Sequence, residues 1–445
     1  MPLSILWAFL ALLHVACCAP LPTAITKVHV VFMNHLDVGY NGIYPEVGFA
    51  FNVINRYFDV YFPSAIETAQ QLKKEGGKYS LIYTTHAWLV DLYLSCPPGM
   101  NIHCPSAEQQ ATLLAALRDG TITYHAYPFN VEAEVMDAPL MEFGFHLVRQ
   151  LDARVRSQNT TVMSQRDVPG TTRAIIPLAV RNGVRALTVG VNSGSAPPAV
   201  PKIFLWRDDA SDSELIAMWH PGGYGGIGVE DCVTVDGFPE ALAFAFRTDN
   251  SGPPNADEVK SNIDQIAKEF PNAEVVTSTY DAFVASLEAA MHADAAIQLP
   301  VVTEEIGDTW VFGVASDPLK MKWYRRINRM RSLCIERGDC QLEDARFYNF
   351  SRLLLKIPEH TWGLPDVQDN ANWTNEQFSR AKDGPNYFNC TSAWDEQRDY
   401  LRYAVEALHD HPLRAAIESA LADPPNPALE DVLPQAKSHP VQPTD

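Results

Sequence analysis

The chain has 445 residues, with 34 Lys and Arg against 54 Asp and Glu, a net charge of −20. That balance argues against nucleic acid and anionic membranes as partners and is compatible with neutral ligands such as sugars. The length suits one large catalytic domain or two domains.

Residues 1–19 are one short apolar run ending in small residues, Ala16-Cys17-Cys18-Ala19. The run is too short, and too interrupted by His14, for a membrane span, and it reads as a signal peptide cut after Ala19. No later stretch approaches the ~20 apolar residues that a span requires. The mature chain is therefore expected to be soluble and to reside outside the cell or in the secretory-pathway lumen. Asn159, Asn349, Asn372 and Asn389 each open an Asn-x-Ser/Thr sequon, which favours exposed, glycosylated positions. With Cys17 and Cys18 removed, Cys96, Cys104, Cys232, Cys334, Cys340 and Cys390 remain. An even count in a secreted chain reads as disulfides. Short loops favour Cys96–Cys104 and Cys334–Cys340, leaving Cys232–Cys390 as a long-range link among the many connectivities six cysteines allow. No Cys-x-x-Cys motif occurs, so a thiolate zinc site is not expected.

Residues 27–33 are short, β-rich and nearly all apolar, which predicts a buried strand. A second strand is predicted over 79–84. Ser106-Ala-Glu-Gln109 is a capping box opening a helix to about Asp119, with Gly120 just past its end. A strand over 121–126 follows, then a helix of small residues from about 173 and a strand over 186–190. Asn255 caps a helix whose Val259, Ile263, Ile266, Ala267 and Phe270 share one face. A strand over 273–277 and a helix over 280–291 come next. Such alternation predicts an α/β fold, a (β/α) barrel-like parallel-sheet catalytic domain over residues 20–320, the sheet being open or closed. Residues 321–421 read as a helical bundle region, with helices over 318–337 and 394–421. Residues 422–445 are Pro-rich and polar, which predicts a disordered tail.

Four segments carry side chains suited to chemistry. Asn34-His35-Leu36-Asp37-Val38-Gly39-Tyr40 directly follows the first strand. His35 and Asp37, two residues apart in extended backbone, point the same way, and imidazole nitrogen with carboxylate oxygen suits zinc. Bare His-x-Asp also occurs as incidental polarity at a strand end. Gln165-Arg166-Asp167-Val168-Pro169-Gly170 places Asp167 on a turn before a helix, either as a cap or as a ligand and nucleophile. Glu304-Glu-Ile-Gly-Asp308-Thr-Trp310, followed by Asp317, sets acids beside an aromatic, as sugar sites do; the plain alternative is an exposed acidic loop. Glu359-His360-Thr361-Trp362 holds a histidine that is either a ligand or structural. His86 and Trp88 follow the second strand and are candidates for the pocket wall, with a satisfied structural histidine as the alternative. Pro221-Gly-Gly-Tyr-Gly-Gly-Ile-Gly228 lacks the Lys-Ser/Thr of a phosphate loop and reads as a sugar-facing loop or a linker. Arg325, Arg326, Arg329 and Arg331 read as a solvated helix face.

In order and spacing, these segments resemble glycoside hydrolase family 38, the α-mannosidases, over roughly residues 27–420. The family opens with a strand and a His-x-Asp-Asp-Val-Gly-Trp-like motif, matched by His35 to Tyr40 with Tyr for Trp. Its nucleophile lies in an Asp-Pro-Phe-Gly-His segment, of which Asp167-Val-Pro-Gly170 keeps the Asp-x-x-Gly frame. Gly307-Asp308-Thr-Trp310, Asp317 and Trp323-Tyr-Arg-Arg326 are similar to the region of the family's acid/base Asp. His360 matches a His-His-Asp-Ala segment. His125-Ala-Tyr-Pro-Phe-Asn130-Val-Glu132 is loosely similar to a Gly-Gly-Trp-Val-Met-Asn-Asp-Glu region.

The resemblance implies Zn2+ held by His35, Asp37, Asp167 and His360. It implies a retaining hydrolase of α-mannoside-like glycans, with Asp167 also the nucleophile and Asp317 the acid/base. Carbohydrate contacts are expected from His86, Trp88, Asn130, Asp308, Trp310 and Trp362. Family members carry β-rich domains after the helical bundle, and this sequence stops before one. Two rival readings stand beside it. One is a polysaccharide deacetylase-like hydrolase, which needs the metal site but no nucleophile. The other is a non-catalytic carbohydrate-binding glycoprotein that keeps the fold.

Overall fold

The computed structural model describes residues 24–39, 52–155, 159–220, 222–306, 310–311, 313, 317–361, 363 and 374–422, without the side chains of Pro385, Asn386, Asn389 and Cys390. The expected signal peptide, the tail beyond Ala422, Asp308, Trp362 and the sequon at Asn372 lie outside the described residues.

The strands are β1 (Lys27–Asn34), β2 (Tyr83–Thr85), β3 (Ile122–Tyr124), β4 (Val162–Asp167), β5 (Ala186–Val191), β6 (Ile203–Asp208), β7 (Ser213–His220), β8 (Glu240–Arg247), β9 (Glu274–Thr277) and β10 (Val301–Val302). Before residue 300 the helices are α1 (Val53–Arg56), α2 (Phe62–Glu75), α3 (Ala87–Leu94), α4 (Ala107–Arg118), α5 (Ala138–Val155), α6 (Ile175–Arg181), α7 (Ala256–Glu269) and α8 (Tyr280–Ala293). The helical region holds α9 (Pro318–Glu336), α10 (Ala345–Leu354), α11 (Asn375–Ala381), α12 (Pro385–Ala407) and α13 (Pro412–Leu421).

β1 is the centre of the first sheet. It pairs with β8 along its whole length, from Lys27↔Glu240 to Asn34↔Arg247. Its other edge is shared by β9 at the start and β2 at the end, and β3 follows β2. All these pairings are parallel. Just past β3, Ala126 N–H donates to Val162 O of the second sheet at 2.8 Å. There β4, β5 and β7 run parallel, β6 is antiparallel to β7, and β10 pairs with β6. An isolated antiparallel bridge, Val233↔Leu242, ties β8 to the segment after β7. The architecture is the expected barrel-like parallel sheet with covering helices, followed by a helical region.

The patterning of β1 shows why. Val28, Val30 and Phe32 join the apolar cluster shared with the helices. Val31 and Met33, on the opposite face, join Val162, Ile216, Met218, Leu242 and Phe244. Side chains alternate across a strand, so a strand covered on both faces is apolar throughout. Ser106 with Gln109, and Asn255 with Glu258, form the capping boxes that start α4 and α7. The helix expected over 394–421 is instead two, because Pro412 cannot continue α12 and opens α13.

Three expectations need correction. Arg331 is not on a solvated face: it is fully buried, packs its guanidinium over Phe143 and Phe347, and donates from Nε to Ser351 Oγ at 2.9 Å. It faces inward because Ile327, Asn328, Arg331 and Ser332 lie on the buried stripe of α9. Cys96–Cys104 and Cys334–Cys340 are disulfides, but Cys232 is free and buried in the segment before β8. The third concerns exposure of the sequons. Asn159 is exposed, whereas Asn349 is only partly so, within α10. Among the described residues, no helix is long and apolar enough to cross a membrane.

Candidate metal centre and active site

The carboxyl ends of β1, β4, β7 and β8 converge, and one loop of the helical region closes over them. Such ends are where parallel α/β barrels place their chemistry, because the loops there are free to vary. His35 and Asp37 leave β1, and Asp167 is the last residue of β4. His360 arrives from beyond α10, held where Val131 bridges Glu359 and where His360 N–H donates to Asn130 O at 3.2 Å.

These four side chains form one buried cluster whose ligand atoms all lie within 4.8 Å of one another. His35 Nε2 is 2.9 Å from Asp37 Oδ1, 3.1 Å from His360 Nε2 and 4.0 Å from Asp167 Oδ2. His360 Nε2 is 3.2 Å from Asp37 Oδ1 and 3.3 Å from Asp167 Oδ2. Donors bound to zinc at about 2.0–2.2 Å occupy tetrahedral corners roughly 3.3–3.6 Å apart. The observed separations bracket that edge, and two imidazoles with two carboxylates are a zinc-type donor set. The residues therefore fit the ion that the sequence implied.

Electrostatics points the same way. Burial pushes Asp37 up, but His35 and His360 outweigh it and hold the carboxyl at about 2. Asp167 is likewise held below the usual carboxylate range, burial being outweighed by His360, His35 and Asn192. Burial alone would depress His360, yet Glu359, Asp167 and Asp37 raise it well above an ordinary imidazole. The cluster thus calls for positive charge, and a proton on His360 and a divalent ion compete to supply it.

Asp167 differs from the other three in access. Its side chain is 10% exposed, against 0–2% for His35, Asp37 and His360, so it is the member a substrate can reach. Its backbone sits at φ 85, a region that non-glycine residues rarely enter. Asn192 Nδ2 donates to Asp167 Oδ1 at 2.7 Å.

Tyr224, from the Gly-rich loop after β7, stacks on His35, and its Oη lies 2.8 Å from Asp167 Oδ1 and 3.1 Å from Asp249 Oδ1. Asp249 follows β8, and the next residue fixes the loop. Asp37 N–H donates to Asn250 Oδ1 at 3.0 Å, and Asn250 Nδ2 donates to Asp37 O at 3.1 Å. Partial burial, aided by Asp37, raises the Asp249 carboxyl above its ordinary value. Burial and Asp167 also raise Tyr224, so its phenol keeps its proton. One hydroxyl carries one proton. The hydroxyl either shares that proton between the two carboxylates or donates to one and accepts from the other in its protonated form, and Asp249 is the one shifted toward holding a proton.

Other predicted site residues sit differently. Asn130 is fully buried, takes Arg166 N–H on Oδ1 at 3.0 Å and faces His35 Nδ1 with Nδ2 at 3.2 Å, so both its polar atoms are engaged and it orients the His35 ring. Trp88 is fully buried, packs against Phe129, and donates from Nε1 to Arg352 O at 2.9 Å. It joins the barrel to the helical region and has no free face for a sugar. His86 is buried edge-to-face against His125, 4.9 Å between centroids, and burial lowers it well below an ordinary imidazole. Asp317 caps α9 by accepting Lys320 N–H at 3.1 Å and pairs with Arg398 at 3.0 and 3.1 Å, outside the four-residue cluster. Trp310 is half-buried. Tyr224 and Asp249 were missed as individual residues. The signal for Asp249 was an apolar run, Ala241–Phe246, ending in Thr248-Asp249-Asn250-Ser251-Gly252-Pro253, the same strand-then-polar-loop pattern as at His35.

Comparison with known proteins agrees on the fold. Residues 314–442 match a family described as a domain of unknown function, DUF5054. No curated protein matches the chain. Among solved structures, the chain is similar to an α-mannosidase from Enterococcus faecalis V583, with a TM-score of 0.53 and 14% identity, covering 86% of this chain and 42% of that one. A glycosyl hydrolase family 38 protein from Enterococcus faecalis follows at a TM-score of 0.44 and 12% identity, covering 87% and 40%. The α-amylase AmyC from Thermotoga maritima has a TM-score of 0.44 and 9% identity, covering 89% and 97%. The chain is thus similar in fold to the α-mannosidase, and it spans less than half the length of each of the two Enterococcus faecalis chains.

Proposed function

We propose that this protein is a secretory-pathway, zinc-dependent retaining glycosidase acting on α-mannoside-like glycans. The observation that carries the reading is the sharing of the Tyr224 hydroxyl by Asp167, itself in the metal cluster, and Asp249. Two carboxyl oxygens bound to one hydroxyl cannot lie much more than about 6 Å apart, which favours a retaining pair (about 5–5.5 Å) over an inverting one (about 6.5–9.5 Å).

The roles follow from charge state. His35, Asp37, Asp167 and His360 would hold zinc, whose charge would orient the sugar's hydroxyls. Asp167, ionised and reachable, attacks the anomeric carbon and forms the glycosyl ester. Asp249, its proton favoured, protonates the leaving oxygen and then takes a proton from the incoming water. Tyr224 spaces the two carboxyls. We assign the acid to Asp249 in preference to Asp317, whose oxygens are engaged by Arg398 and the start of α9. Trp310, half-buried, and Trp362 keep the stacking roles suggested by their motifs, and Asp308 keeps its sugar-facing role. A deacetylase would need the metal but no carboxylate nucleophile, so a glycosyl ester on Asp167 separates the two readings.

The test is release of a chromogenic α-mannoside by the zinc-loaded protein, abolished by chelation and restored by zinc. Stoichiometric zinc with no cleavage of any α-glycoside, and no ester trapped on Asp167 by a slow substrate, would sink the reading.

A further inference from the structure

We infer that Glu359 is the positioning residue of the metal centre: it fixes the ring of His360 and ties it to the loop that carries His35 and Asp37. This rests on the metal-centre reading above. Glu359 is fully buried, an expensive place for a carboxylate unless several groups share its charge. Its Oε1 lies 2.9 Å from His360 Nδ1. The approach is too bent for a hydrogen bond as it stands, and Nδ1 has no hydrogen-bond partner among the described residues, so the Glu359 carboxylate is the group beside it to hold its proton. Lys356 Nζ, equally buried, is 3.7 Å from Oε2 and balances the charge.

The remaining bonds of Glu359 run to the opposite side of the site. Thr361 Oγ1 donates to Glu359 Oε2 at 2.6 Å and accepts Gly39 N–H at 2.6 Å. Val38 N–H reaches Glu359 Oε1 at 3.4 Å. Val38 and Gly39 directly follow Asp37, so one carboxylate binds two segments more than 300 residues apart, with |i−j| of 321 from Val38 to Glu359. The approach is so close that a Cβ on residue 39 would fall 1.8 Å from Thr361 O, which explains a glycine there. Gln397 of α12 adds a bond from Nε2 to Gly39 O at 2.8 Å. A carboxylate on the distal nitrogen of a ligand histidine sets its tautomer, leaving the near nitrogen's lone pair for the ion. Glu359 does this and also sets the distance between the ligand from the helical region and those from β1.

The test uses the full chain loaded with Co2+, whose visible absorption reports ligand geometry, and a chelator competition that reads the dissociation constant. Glu359→Gln keeps the shape and removes the charge. It is expected to weaken Co2+ binding about 10- to 100-fold and to alter the cobalt spectrum. Thr361→Val leaves Glu359 opposite Lys356, so it tests the tie if the first variant fails to fold, and it should weaken binding in the same direction. Folded Glu359→Gln, or Thr361→Val where that is the variant that folds, with wild-type affinity and an unchanged spectrum would overturn the inference. Absence of any stoichiometric metal in the wild type would overturn the metal-centre reading itself and this inference with it.

Discussion

The ring of Tyr224 stacks on that of His35, 4.7 Å between centroids and 26° from parallel. A metal-type ligand and the residue joining two carboxyls are therefore one packed unit. Removing only the hydroxyl should separate their roles. Tyr224→Phe keeps the stack and is expected to leave metal content unchanged while lowering kcat/KM roughly 10- to 100-fold, the worth of one hydrogen bond to a charged group. Metal analysis beside steady-state kinetics checks this, and equal loss of both would show that the hydroxyl supports the metal site and not only the chemistry.

The two carboxyls should shape the pH profile. Asp167 must be ionised and is held low, so its own titration limits activity only in strong acid, while protons on His360 compete with the ion before that. Asp249 must be protonated and is raised, so activity falls as pH rises through its raised value. The optimum is thus acidic, bounded above by Asp249. Asp249→Asn should remove the alkaline limb of the kcat/KM profile. A limb unchanged in that variant would assign the acid elsewhere.

Parts of this site were legible in the sequence and parts were not, for physical reasons. β1 and its His-x-Asp were legible because a strand covered on both faces is uniformly apolar and stops abruptly at polar residues. Capping boxes at Ser106 and Asn255 were legible because caps are local chemistry. The long α5 was not separated from its surroundings, since Leu140, Phe143, Phe145 and Leu147 bury much of its circumference. Trp88 and Asn130 misled because they adjoin barrel strand ends in sequence, whereas whether a side chain faces the mouth or the packed wall depends on elements far away: Arg352 for one and Arg166 for the other. His360 was readable only through family likeness, because nothing local to it indicates the partners it meets across the chain.

Metal should stabilise as well as serve chemistry, because the four ligands come from three distant segments. Zinc at 100 times its dissociation constant is expected to add ~2.7 kcal/mol to unfolding free energy. A chelator titration followed by thermal denaturation should show Tm falling as zinc is withdrawn and recovering on its return. A Tm indifferent to zinc would mean that no ion binds the folded form preferentially.

Trp88 offers a contrast between packing and binding. It is fully buried between barrel and helical region, so Trp88→Ala should cost about 3–5 kcal/mol through lost contacts and an unfilled cavity. Urea unfolding measures that cost. The fraction that remains folded should bind a mannoside with near wild-type KM; a selective rise in KM at unchanged stability would return Trp88 to the sugar site.

Asp317 and Asp249 can be told apart by what each variant spares. Asp317 caps α9 and grips Arg398, so Asp317→Asn should destabilise by up to ~3–5 kcal/mol, toward the lower end because the Arg398 side chain is 29% exposed. Once folded at low temperature, that variant should keep kcat/KM within a few-fold of wild type for good and poor leaving groups alike. Asp249→Asn should instead keep stability and lose activity according to leaving group. An aryl mannoside whose leaving phenol needs no proton should be nearly spared, while an alkyl mannoside should lose roughly 10²–10⁴-fold, the range for a general acid. A leaving-group slope that steepens in Asp317→Asn, with none in Asp249→Asn, would reverse the assignment, since only the residue that delivers the proton can make the rate depend on how badly the departing oxygen needs one.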